Sequence, residues 1–249
     1  MSESFNEYAE VYDHIYSDKD YIGETNYIDQ LIQLHRPGSE SILEYGSGTG
    51  IHGRLLGNLG YIVLGIEPSR SMLAFASETE NFSIRQGDLR ERSEYDKTFD
   101  ACLILFHVFN YLTSIEEQLA AFANIRRQLS SGGILLLEVW HGPAVESQKP
   151  ELRVKEVEGD FGSILRIARP TDITKTSVSV NYDIFYRPNK EQSYHRIQET
   201  HVLRPTYPDE ISDFCKALDF EILEAHEFLS KAPPSLETWS VVYVLRARH

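Results

Sequence analysis

Cysteine is scarce in this chain of 249 residues: only Cys102 and Cys215 occur. One falls in a strongly apolar run and the other in a predicted helix, so both are expected as small core residues rather than a disulfide. That usage fits a reducing compartment, and a cytoplasmic location is expected. Basic residues are also in deficit. The 24 Lys+Arg stand against 38 Asp+Glu, for a formal net charge of −14. No Lys/Arg cluster relieves that charge, so a phosphate backbone is repelled and no nucleic-acid partner is expected. Long apolar runs are missing too. The longest, around Ala101–Phe109 and Ile134–Trp140, are too short to span a bilayer, and no membrane association is expected. The opening Met1-Ser2-Glu3-Ser4 lacks the basic region and apolar stretch of a secretion signal. No pair of histidines has the spacing of a metal site, so no metal is expected. Internal repeats and low-complexity linkers are absent, and nothing indicates an oligomeric state.

What is present is ordinary globular composition, in a chain long enough for one α/β domain with an insertion. Asn6–Leu34 reads as one or two tyrosine-rich helices. Tyr8, Tyr12 and Tyr16 are spaced by four and share a helical face. After Pro37-Gly38 short strands alternate with helices. Strands are predicted at Ser41–Tyr45, Tyr61–Glu67, Phe82–Gln86, Phe99–Leu105 and Ile134–Val139. Helices are predicted at Gly50–Asn58, at Ser69–Glu78 behind a serine cap, and at Ile115–Leu129. The last should bury Ile115, Leu119, Phe122, Ile125 and Leu129 and stop at Gly132-Gly133. This rhythm predicts a parallel sheet covered on both faces. It breaks after Pro143. Arg153–Val157, Ser163–Arg169, Ser177–Arg187 and Tyr194–Leu203 alternate polar and apolar residues, as an antiparallel insertion does. A helix over Pro208–Leu218 and a hairpin of Phe220–Phe228 with Trp239–Ala247 complete the chain.

In an open α/β sheet, ligands bind beyond the carboxyl ends of the strands. The first strand is followed by Gly46-Ser47-Gly48-Thr49-Gly50, whose glycines allow a tight turn and close approach to the backbone. The second ends in Glu67, a carboxylate able to accept both hydroxyls of a ribose. The third leads into Gly87-Asp88-Leu89, where an acid can meet an adenine amino group. Together they describe a site for an adenosine-containing cofactor. Gly48, Gly50 and Gly53 also fit the dinucleotide fingerprint, with Glu67 at about its expected distance. A nicotinamide-dependent oxidoreductase therefore stands as an alternative, although Gly53 reads better as helix packing.

The spacing Glu44-x-Gly46-x-Gly48-x-Gly50 resembles the acidic-x-Gly-x-Gly-x-Gly turn of the class I S-adenosylmethionine-dependent methyltransferases. Glu67 matches that family's ribose acid, Asp88 its adenine-side acid, and Gly132-Gly133 the pair before strand five. The motif resemblance covers residues 38–140, and the layout of 205–248 agrees. It implies a Rossmann-like seven-stranded sheet with the last strand antiparallel and helices on both faces, plus a β-rich insertion after strand five. It implies S-adenosyl-L-methionine as cofactor and S-adenosyl-L-homocysteine as product. Residues 1–36 would form an N-terminal helical lid, 37–142 and 206–249 the cofactor domain, and 143–205 an insertion over the acceptor site. The Tyr8–Tyr21 segment and the Phe106–Leu112 loop are similar to small-molecule members that methylate sugars, including nucleotide-sugar N,N-dimethyltransferases.

On this reading the cofactor meets Tyr12, Tyr16, Glu44, Gly46, Gly48, Gly50, Glu67, Asp88 and Leu89. Methyl transfer needs alignment of the acceptor and exclusion of water. An amine acceptor needs little more than an outlet for its proton, whereas a hydroxyl needs a general base. His107, after strand four, and His141, after strand five, are the histidines at the ligand edge. Tyr111 shares that edge, as does Asn110, and either could hold the sulfonium end or the acceptor. The ordinary alternative is that such histidines are core groups. His195 and His201, in the insertion, are weaker candidates. Asp100 lies at the wrong end of its strand and reads as structural. A small polar acceptor is expected, an amino or hydroxyl group of a nucleotide-linked or glycan sugar, met in part by Asn181, Asp183 and Arg187. Another small-molecule amine, or a SAM-binding protein without catalysis, is the alternative.

Overall fold

The computed structural model describes residues 5–91 and 98–248, so Met1–Ser4 of the predicted lid lie outside it. Two helices open the chain, α1 (Ala9–Ile15) and α2 (Tyr21–His35), the second capped by the Asp20 carboxylate, which accepts from the Gly23 N–H at 2.9 Å. The alternating region then runs β1 (Ser41–Tyr45), α3 (Ile51–Asn58), β2 (Ile62–Glu67), α4 (Arg70–Phe75), β3 (Phe82–Gln86), β4 (Phe99–Ile104), a 3₁₀ turn (Val108–Tyr111), α5 (Ile115–Gln128) and β5 (Leu129–Trp140). After α6 (Gly142–Gln148) come β6 (Arg153–Gly159), β7 (Gly162–Thr171), β8 (Val178–Pro188) and β9 (His195–Leu203). The chain closes with α7 (Pro208–Ala217), β10 (Phe220–Glu227) and β11 (Ser240–Ala247).

The main sheet has seven strands in the order β3-β2-β1-β4-β5-β11-β10, with β11 antiparallel to both neighbours. This is the predicted Rossmann-like architecture. Its central strands are buried on both faces. Ile42, Leu103 and Leu136 pack toward α2 and α3, while Leu43, Cys102 and Leu137 pack toward α5 and α7. That explains why they read as continuous apolar runs. Both cysteines are buried and free. Asp100 has the structural role expected of it: its carboxylate accepts from Glu40 N, Ser41 N and Ser41 Oγ. No helix among the described residues is long and apolar enough to cross a membrane.

Two local expectations fail. On α5, Ile115 and Leu119 are 38% and 39% exposed, whereas Gln118, Ala121 and Asn124 are buried beside Phe122 and Ile125. The buried amides satisfy loop carbonyls: Gln118 donates to Leu112 O and Asn124 to Leu89 O. Those bonds rotate the helix away from its most apolar stripe. The helix also ends at Gln128, well before Gly132-Gly133, which both lie within β5.

The insertion is a four-stranded antiparallel meander, β6-β7-β8-β9. Ile164, Ile184 and Ile197 pack against Tyr8, Val11 and Ile15 around α1. The chain leaves the main sheet and returns at one spot. Gly142 N donates to Thr206 O at 2.8 Å, and Thr206 N donates to Trp140 O at 2.9 Å.

Candidate active site

The turn after β1 holds Gly46, Gly48 and Gly50 at φ values of +68°, +58° and +81°, where a Cβ is strained. The three differ in surroundings. A Cβ on Gly46 would meet Val108 at 2.4 Å and one on Gly50 would meet Phe82 at 2.5 Å, but nothing lies within 4 Å of Gly48. The amides of Gly46 and Ser47 donate to Ile66 O, tying the turn to β2. Glu67, at the end of β2, takes the Gly48 N–H on Oε2 at 2.9 Å and the Ser69 N–H on Oε1 at 2.8 Å. Burial outweighs those bonds and pushes its carboxyl up to about 7. Glu44 is buried and accepts from Ser47 Oγ at 2.7 Å, and burial raises its pKa as well. Burial acts to raise Asp88 too. Here the hydrogen bonds and charge of Arg90 prevail and hold the carboxyl below its usual range.

These residues border one cavity of about 800 Å³. Of the residues predicted to meet the cofactor, Tyr12, Glu44, Gly46, Gly48, Glu67, Asp88 and Leu89 line it. Gly50 lies behind it as the left-handed residue that starts α3. Tyr16 also stands back. Its ring centroid is 4.8 Å from that of Tyr12, and its hydroxyl accepts from Arg166 at 3.0 Å. The N-terminal segment closes one side. Thr49 Oγ1 donates to Asp13 at 2.8 Å, and Ser69 Oγ donates to Phe5 O at 2.7 Å. Phe5, Lys19, Arg90, Phe106 and Val202 are among the other residues that line it.

Among the candidates for acid–base work, Tyr111 alone lines the cavity; His107 and His141 do not. His107 follows Phe106, and both have left-handed φ values, 63° and 52°. Its Nε2 lies 3.5 Å from Glu138 Oε1 and has no hydrogen-bond partner among the described residues. Loss of water lowers its pKa in spite of Glu138. His141 is buried at the start of α6, with Nδ1 unpartnered among the described residues and its pKa lowered by burial. Asn110 is fully buried and spent on structure. It donates to Arg204 O and Thr206 Oγ1 and accepts from Trp140 N. Asn181, Asp183 and Arg187 alternate along β8 with Val180, Ile184 and Tyr186, which pack in the insertion's apolar clusters. Asn181 Oδ1, the Asp183 carboxylate and Arg187 Nη2 bond Thr200, Arg196 and Ser163 on neighbouring strands, and none of the three residues lines the cavity. His201 was the histidine to find: Tyr111 Oη lies 2.8 Å from its Nδ1.

Residues 42–133 match the family model described as a methyltransferase domain. YqeM of Bacillus subtilis, named for a methyltransferase activity, is 27% identical over 93% of this chain and 92% of its own length. A dTDP-3-amino-3,4,6-trideoxy-α-D-glucopyranose N,N-dimethyltransferase of Streptomyces venezuelae is 31% identical, covering 55% of this chain and 59% of that protein. The crystal structure of an S-adenosylmethionine-dependent methyltransferase from Clostridium acetobutylicum superposes with a TM-score of 0.82 at 19% identity, over 98% of this chain and 99% of that one. Residues 42–133 thus match a methyltransferase domain, and the chain shares the Rossmann-like fold of that S-adenosylmethionine-dependent methyltransferase structure.

Proposed function

We propose that the chain binds S-adenosylmethionine beneath α1 and transfers its methyl group to an amino or hydroxyl group of a sugar, nucleotide-linked or glycan. The observation that carries this is the single cavity joining the glycine turn, Glu67 and Asp88 on one side to Tyr111 on the other. The residues fit the cofactor. Gly48 leaves open the space that a Cβ would fill, and Glu67 offers a buried carboxylate to paired hydroxyls. Asp88 and Leu89 suit the adenine, and Glu44, Gly46 and Tyr12 the amino-acid end. When bound, the cofactor supplies an activated methyl on a sulfonium. The chain's own task is alignment and dryness, and alignment of this kind is worth on the order of 7–11 kcal/mol. Phe5, Tyr12 and Phe106 keep water from the reacting end, in a cavity whose size suits a buried small ligand.

In this reading residues 1–36 cover the site, 37–142 and 206–249 hold the cofactor, and 143–205 face the acceptor. The amino-sugar substrate named for the Streptomyces relative supports a sugar acceptor. Two buried free cysteines suit a cytoplasmic setting. Calorimetry with S-adenosylhomocysteine and with NADH tests the cofactor, and methyl transfer to dTDP-3-amino-3,4,6-trideoxy-α-D-glucopyranose tests the acceptor class. Binding of the homocysteine product but not of NADH is expected. Binding of NADH alone would replace the reading with the oxidoreductase one.

A further inference from the structure

Behind Tyr111 runs a chain of side chains that belongs to the insertion. Tyr111 Oη lies 2.8 Å from His201 Nδ1, and His201 Nε2 lies 2.9 Å from Glu199 Oε2. His201 is 1% exposed, and Glu199, two residues earlier on β9, presents its side chain on the same face. The Glu199 carboxylate also accepts the backbone N–H groups of Phe5, Asn6 and Tyr8 at 2.8, 2.9 and 2.9 Å. Burial acts to raise this carboxyl, but the hydrogen bonds from His201 and the amides hold it below its usual range, so it stays ionised.

An ionised carboxylate only accepts hydrogen bonds. It therefore takes the Nε2–H of His201, and in the neutral imidazole Nδ1 is left as the acceptor. Tyr111 must then donate its hydroxyl proton to Nδ1, which leaves the oxygen's lone pairs for a group in the cavity. The surroundings are dry and aromatic. Ring centroids of Phe5 and Tyr182 lie 4.7 and 4.8 Å from that of His201, and Tyr8 lies 6.1 Å away. The charged and titratable groups facing the histidine are Glu199 on β9, Tyr8 before α1, Tyr111 on the 3₁₀ turn, and Tyr182 on β8 with Arg166 of β7 over its ring.

We propose that Tyr111 takes the proton released by the acceptor and that His201 and Glu199, acting through it, drive that transfer. The inference rests on the methyltransferase reading above. As the acceptor's bond to carbon forms and the carbon–sulfur bond breaks, its electron pair leaving on sulfur, the acceptor gains one positive charge. Its N–H or O–H bond then breaks toward the Tyr111 oxygen. The hydroxyl proton passes to His201 Nδ1, and Glu199 stabilises the imidazolium until water removes the proton. No further reactant is needed. Because Glu199 also binds the N-terminal segment, the relay is complete only when that segment is docked.

The test uses the full chain as wild type, Tyr111→Phe and His201→Gln. Imidazole ¹⁵N NMR with S-adenosylhomocysteine present should show His201 protonated at Nε2 and bare at Nδ1, with the Nδ1 signal displaced in Tyr111→Phe. In methyl transfer to dTDP-3-amino-3,4,6-trideoxy-α-D-glucopyranose, His201→Gln should lower kcat on the order of 10²-fold and alter its pH profile. The KM for S-adenosylmethionine and the Kd for the homocysteine product should stay within about twofold, as for a residue that moves protons rather than binds cofactor. If His201→Gln does not fold, Tyr111→Phe, which removes one oxygen, carries the same kinetic test. A His201 protonated at Nδ1, or folded variants with wild-type kcat and pH profile, would overturn the relay. A wild-type chain that does not bind the homocysteine product would instead overturn the cofactor reading, and the tautomer measurement would still judge the relay's geometry.

Discussion

Glu138, buried on β5, holds the backbone N–H of Phe106 on its Oε2 at 2.6 Å, and its other oxygen accepts from Ser240 Oγ at 2.7 Å. One carboxylate thus pins the loop after β4 in the left-handed geometry that sets Phe106 into the cavity wall. Such backbone costs about 1–3 kcal/mol per residue and persists only when its surroundings impose it. Glu138→Ala should cost roughly 2–3 kcal/mol of stability, the scale of a hydrogen bond to a charged group. It should also lower methyl-transfer turnover. Glu138→Gln keeps an acceptor for Phe106 N–H and should recover part of both losses. Denaturant unfolding and initial rates measure them, and an alanine variant of unchanged stability would contradict this role.

Gly46 and Gly48 share left-handed backbone but should fail differently. Gly46→Ala meets Val108 at 2.4 Å, so it should lower the melting temperature and disturb the loop after β4. At Gly48 an added Cβ meets no protein atom within 4 Å. The strain of a valine there is about 1–2 kcal/mol, and its bulk enters the cavity. Gly48→Val should stay folded and lose at least about 100-fold in S-adenosylhomocysteine affinity, equal to roughly 2.7 kcal/mol. Calorimetry beside a thermal melt separates the two outcomes.

The raised carboxyl of Glu67 makes two pH predictions. Its folded-state pKa, about 7, lies above the value of 4.5 for a solvated glutamate. Its contribution to folding is therefore complete below the ordinary glutamate range and is lost as pH rises through about 7. Binding should show the opposite trend. Ribose hydroxyls donate to the ionised form, so S-adenosylhomocysteine should bind more tightly as pH rises through the same range and should release a proton on binding. Glu67→Gln should flatten both profiles. Glu67→Ala should weaken binding by about 1.5–3 kcal/mol while lowering saturated turnover less. Calorimetry in buffers of different ionisation enthalpy reports the proton, and its absence would count against Glu67 as the ribose contact.

Removing residues 1–20 takes away Tyr12, the Asp13–Thr49 bond and the apolar cover of Ile164, Ile184 and Ile197. The two apolar layers of the main sheet do not use α1 and should survive. The KM for S-adenosylmethionine should rise and turnover should fall, with the insertion gaining hydrogen exchange. An equally active truncated chain would show that α1 does not close the site.

That the glycine turn, Glu67 and Asp88 border one cavity was legible because these parts are local. Glycines at fixed spacing and an acid at each strand end need only the right-handed crossover to bring them together. Tyr111 was named from its place at the ligand edge, but its contact with His201 was not legible. Proximity to strands β4 and β5 in sequence favoured His107 and His141, yet neither lines the cavity. Tyr111 and His201 are 90 residues apart and meet through the register of the insertion sheet, which periodicity leaves open. The error on α5 has a similar origin. Gln118 and Asn124 look solvent-facing until the carbonyls of Leu112 and Leu89 are seen beneath them.

The paired bonds between Gly142, Thr206 and Trp140 bear on how such a protein can diversify. The chain departs from and rejoins the seven-stranded sheet within one backbone hydrogen bond, so the intervening stretch can lengthen, shrink or be exchanged while its anchor points stay put. Closing a longer or shorter excursion changes the entropy cost only logarithmically, about 0.6 kcal/mol per doubling. Every strand of the main sheet lies outside that stretch, so its hydrogen bonding is indifferent to what is spliced in. If residues 143–205 face the acceptor as proposed, chimeras that carry another methyltransferase's segment between Gly142 and Thr206, with Glu199 and His201 retained, should keep the main sheet and change acceptor preference, a modular route to new chemistry open to breeding in the laboratory.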